Sequence, residues 1–101
     1  MILPSEIKIG STLYTVQLKP DLGKKRYGVT YLDSGVMKIA TTWKGKPRSE
    51  TGVLGTNETF WHEATHCILY DMGHKLWNDE AFVTAFSRRL TRMIDTAKFK
   101  E

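Results

Sequence analysis

The chain has 101 residues, enough for one domain with one modest hydrophobic core. A hydrophobic content of 41% and a charged content of 26% are those of a soluble globular protein and exclude a disordered chain. Fifteen basic residues against eleven acidic ones leave +4, a mild excess that reads as a solvated basic surface ahead of a nucleic-acid contact.

At the start, Met1-Ile2-Leu3-Pro4 shows no basic segment followed by an apolar run, so no signal peptide is expected. Residues 6–18 alternate through Ile7, Ile9, Leu13, Tyr14, Val16 and Leu18, with Gly10-Ser11 as a break, and predict one bent strand or two strands with a tight turn. Pro20-Asp21-Leu22-Gly23 is a turn by composition, and Lys24-Lys25-Arg26 a charged loop or edge. Tyr27 to Leu32 is β-rich, Asp33-Ser34-Gly35 turns, and Val36 to Ala40 runs back, which predicts a hairpin. Trp43 to Pro47 reads as a loop. The first half is thus expected to be a small, largely antiparallel sheet of three to four strands.

The second half is helical, giving an α+β class over a single domain, residues 1–101. A helix containing His62-Glu63-Ala64-Thr65-His66 is expected to end at Met72-Gly73, with Gly73 just past its last turn. Ser49 would cap an early start, Thr56 or Asn57 a late one. Phe60, Ala64, Cys67 and Ile68 form the apolar side of that helix. Cys67 is the lone cysteine, so no intrachain disulfide forms, and it reads as a small core residue. A final helix is expected from Asn78 or Asp79, with Phe82, Phe86, Leu90, Met93, Ile94 and Ala97 as its core stripe and Arg88, Arg89 and Arg92 off it. No stretch approaches the roughly 18 apolar residues that span a bilayer. The expected setting is a reducing, cytoplasmic one.

The chemistry-bearing stretch is the pentapeptide at 62–66. On a helix, four residues advance by about 400°, so both imidazoles project from one face a turn apart. That spacing suits two nitrogens reaching one Zn²⁺ at roughly 2.0–2.1 Å. Glu63 lies about 100° round from His62, beside the metal without having to bind it. The pattern H-E-x-x-H combines two ligands with a general base. Its bland counterpart is two surface histidines beside a solvated glutamate.

A catalytic zinc site needs a third protein ligand and an open position. One known extension puts Gly three and His six residues after the second histidine. Leu69 and Met72 occupy those positions and exclude it. Glu80, fourteen residues past His66 at the opening of the last helix, is the leading donor, with Asp79 and His74 as alternatives. An acid at a helix N-terminus is also favourable without any metal. Tyr70 and His74 are candidates for a second donor to a developing oxyanion, although a tyrosine at a helix flank is more often simply half-buried.

Phe60-Trp61-His62-Glu63-Ala64-Thr65-His66 and Asn78-Asp79-Glu80-Ala81-Phe82-Val83 together resemble the small gluzincin-type metallopeptidases of phages and bacteria, minimal relatives of the repressor-cleaving and SprT-like metalloproteases. The resemblance covers most of the chain from about Tyr27. It implies a zinc ion held by His62, His66 and Glu80, Glu63 as the general base that activates a water on a peptide bond, and Val36–Ala40 as the edge strand along which an extended peptide substrate lies. A phage gene would place the protein in the host cytoplasm. Two other readings compete: a non-catalytic zinc-binding module acting on a host or phage protein, and a nucleic-acid accessory using the basic segments. Trp43, Trp61 and Trp77 show no stacking pattern, which weakens the last.

Overall fold

The alternation of the first half becomes two hairpins. β1 (Glu6–Ile9) and β2 (Thr12–Lys19) pair antiparallel, with Ile7 opposite Tyr14 and Ile9 opposite Thr12. β3 (Gly28–Tyr31) and β4 (Val36–Ala40) do the same around the turn at 32–35. The computed structural model describes residues 3–23 and 26–100, so the reading of Met1-Ile2 and of Lys24-Lys25 falls outside the described residues.

The hairpins join through a parallel pair, β2 with β4, running from Thr15 opposite Val36 to Lys19 opposite Ala40. The strand order is β1-β2-β4-β3, a mixed sheet rather than a wholly antiparallel one. Val36–Ala40 is therefore not an edge. It is bonded on both sides, and its Met37 and Ile39 are fully buried. The physical reason is composition: the strand with the most apolar surface to hide takes the centre, and β3 is left as the edge. Where a loop is expected at 43–47, β5 (Thr42–Trp43) and β6 (Lys46–Pro47) form a two-residue ribbon, turned by Lys44 and Gly45 at φ 51° and 78°.

One helix lies across the sheet. α1 (Thr56–Asp71) sets Phe60, Ala64 and Cys67 against Ile9, Tyr14, Val16, Met37 and Ile39. Ile68, expected on that side, sits at the rim and is exposed. Burial pushes the Cys67 thiol up to about 11 and the Tyr14 phenol beside it up to about 12, so both stay neutral and act as core. Gly55 takes the N-cap position instead of Ser49, Thr56 or Asn57, and the Glu58 carboxylate accepts the Leu54 N–H at 2.9 Å. At the other end Gly73 (φ 65°) donates to the Tyr70 carbonyl and His74 to that of Leu69, the paired bonds that close a helix through a left-handed glycine.

Arg48 ties the sheet to the start of α1. Its guanidinium donates to the carbonyls of Tyr27, Ala40, Leu54 and Gly55 and, at 2.6 Å, to Thr59 Oγ1. Burial lowers its proton affinity, since the charge is held by neutral acceptors. It is thus a structural cross-link and not part of a solvated basic surface.

α2 (Glu80–Thr96) starts under the side chain of Asp79, which accepts the Phe82 N–H at 2.9 Å. It packs on α1 through Val83, Ser87 and Thr91, its three buried residues. The expected core stripe is overturned here: Phe82, Phe86 and Met93 are 38%, 47% and 64% exposed. Glu80, Val83, Ser87 and Thr91 share one side of the helix, and at 100° per residue Phe82, Phe86 and Met93 lie about 120° away. Small side chains let the helices approach, and the Thr91 hydroxyl is satisfied within α2 by the Ser87 carbonyl at 2.6 Å.

Candidate metal centre

The helical spacing places the imidazoles of His62 and His66 on the side of α1 that faces α2, and the Asp79 cap starts α2 so that Glu80 points back at them. His62 Nε2 stands 3.3 Å from His66 Nε2 and 3.1 Å from Glu80 Oε2, and His66 Nε2 is 2.8 Å from Glu80 Oε1. Ligands of a tetrahedral ion at about 2.0–2.1 Å lie about 3.3 Å apart, so the three groups match the spacing of a metal centre.

The donor chemistry fits as well. His66 Nδ1 is 2.7 Å from the Trp77 carbonyl, which can only accept, so that nitrogen carries the proton. In the neutral ring the Nε2 lone pair then points at Glu80 and at His62. With His62 Nε2 and the Glu80 carboxylate it makes up a nitrogen, nitrogen and oxygen donor set of the kind that suits a zinc ion. His62, His66 and Glu80 form a possible metal-binding triad. The other two candidates are turned to local tasks: Asp79 caps α2, and His74 Nδ1 accepts the Leu76 N–H at 3.1 Å. The side chains of His62 and His66 are 21% and 13% exposed and that of Glu80 67%, so the point of convergence opens to solvent on the α2 side.

Glu63 is 8% exposed and sits where α1 crosses under β3. Thr30 of β3 donates to its Oε1 at 2.7 Å, leaving Oε2 without a hydrogen bond among the described residues. Gly28 permits the crossing: a Cβ there would stand 2.7 Å from Thr59 Cγ2 and 3.3 Å from Glu63 Cγ. Two cavities meet at Glu63. One, about 330 Å³, lies on the His62 side between β3, α1 and α2; the other, about 230 Å³, lies on the His66 side beside Thr30 and Trp77. Tyr70 lines neither and packs edge-on to Trp77 with ring centroids 5.3 Å apart.

Sequence reasoning missed Thr30, Gly28 and the Trp77 carbonyl. The signal for Thr30 was a hydroxyl on the inward phase of a β alternation, and for Gly28 a glycine inside a strand. A backbone carbonyl leaves no signal at all. The chain matches no protein-family model, no curated protein and no solved structure.

Proposed function

We propose that the protein is a zinc-dependent peptidase. The observation that carries this reading is the triad of His62, His66 and Glu80, open on one side, with Glu63 lining both cavities that the triad borders. Among the described residues no fourth protein ligand joins the three, which favours a catalytic site over a closed structural one. Zinc held there would supply Lewis acidity, lowering the pKa of a water toward about 7 and polarising a substrate carbonyl.

The chain's own residues do the rest. Glu63 takes the proton of the attacking water on Oε2 while Thr30 holds Oε1 in place, and it returns that proton to the departing amine. The His66 ring is kept in one tautomer by the Trp77 carbonyl.

The substrate strand belongs on β3 rather than on Val36–Ala40. Ala40 donates to the Tyr27 carbonyl, so by antiparallel alternation Val29 and Tyr31 bond β4, while Gly28 and Thr30 turn their N–H and C=O groups to the free edge. An extended peptide added there would run past Glu63, bound by its backbone with little sequence preference.

Purified protein should hold one zinc per chain. Glu63→Gln should keep the metal and lose at least about 100-fold in cleavage of an unfolded protein such as casein. Cleavage by Glu63→Gln at the parent rate would refute the mechanism.

A further inference from the structure

The larger cavity extends beyond what a metal and a general base require, and its far wall carries an ion pair between α1 and α2. The Glu58 side chain is 8% exposed, and its Oε2 accepts the N–H of Leu54 at 2.9 Å and of Arg88 Nε at 3.4 Å. Its Oε1 has no partner among the described residues and is not sealed off, and the two terminal nitrogens of Arg88 are likewise without acceptors. The wall therefore offers an acceptor and a set of donors side by side.

Three classes of side chain can be weighed against that wall. Glu58, Glu63 and Glu80 with Arg88 and a divalent cation leave the site close to neutral. A charged side chain entering it would lose hydration with no net opposite charge to meet. An aliphatic one would cover Glu58 and Arg88 and leave their polar groups unpaired. A primary carboxamide meets both, donating its N–H to Glu58 Oε1 and accepting from Arg88. A volume of about 330 Å³ has room for one such side chain between Tyr27 and Thr84.

We propose that this cavity is a specificity pocket for an asparagine or glutamine side chain of a peptide laid along β3. The inference rests on the peptidase reading and names its substrate class.

The test is binding, not turnover. N-acetyl hydroxamates of glycine, glutamine, glutamate, lysine and leucine are titrated calorimetrically into zinc-loaded protein. The glutamine probe should bind about 10-fold tighter than each of the others, the worth of two net hydrogen bonds. In Arg88→Met, and independently in Thr84→Phe, which fills the cavity, the glutamine-to-glycine ratio should fall toward one. Equal or better binding of the leucine or glutamate probe, or a ratio that survives both substitutions, overturns the pocket while the metal reading stands. Protein that takes up no zinc, or zinc-loaded protein that ignores the glycine probe, overturns the metal reading and the pocket with it.

Discussion

The two helices that build the site are held in opposite ways. α1 buries ten of its sixteen residues between the sheet and α2, whereas α2 buries three of its seventeen. His62, Glu63 and His66 ride on the first and Glu80 on the second, so the candidate centre spans a clamped element and a loosely held one. The geometry at His62 and His66 is set by core packing. The position of Glu80 depends on the cap at Asp79, a narrow small-residue contact and two long polar contacts to α1, Arg88 with Glu58 and Asn57 with Asp95.

This contrast can be broken at several points. Arg48→Ala removes the donors to four carbonyls and to Thr59, and should cost about 3 kcal/mol or more by urea unfolding. A loss below 1 kcal/mol would mean that α1 is clamped by the sheet alone. On the proposed zinc reading, a chelator should remove about 2.7 kcal/mol of stability relative to protein at a free-metal concentration 100 times Kd. Amide exchange should then rise in α2 before α1, and a uniform rise would erase the distinction between the helices. Gly28→Ala should cost about 1–3 kcal/mol, because the new methyl meets Thr59 Cγ2 where α1 crosses β3. Phe86→Ser, on the outward side of α2, should shift stability by no more than about 0.5 kcal/mol. A larger loss would show that the aromatic stripe is covered in solution.

What could be read from the sequence was local. The four-residue spacing of the histidines, the glycine stop at residue 73 and the aspartate cap at 79 each act within one turn of chain, and each set an element's phase or boundary. What could not be read was non-local. Hairpin signals identify β1 with β2 and β3 with β4, but carry nothing about how the hairpins join, so they hold no check on the resemblance where it implies an edge at Val36–Ala40 and the fold puts the centre of the sheet. The stripe of Phe82, Phe86 and Met93 has the periodicity of a core face, yet Val83, Ser87 and Thr91 make the contact, since that side also carries Glu80. Arg48 sits among lysines in the sequence and among carbonyls in the fold.

The segment between the helices has a tighter tolerance than its exposure suggests. The carbonyl of Trp77 fixes the proton of the His66 ring, and it reaches that ring because the reversal at Gly73 and the bonds of Trp77 to His74 and of Asp79 to Leu76 wind residues 72–79 to one length. Deleting one residue there would rotate the carbonyl away and free the imidazole to present the wrong nitrogen. Most surface connections accept insertions and deletions freely; this one is a gauge, cut to the distance between a helix stop and a ring.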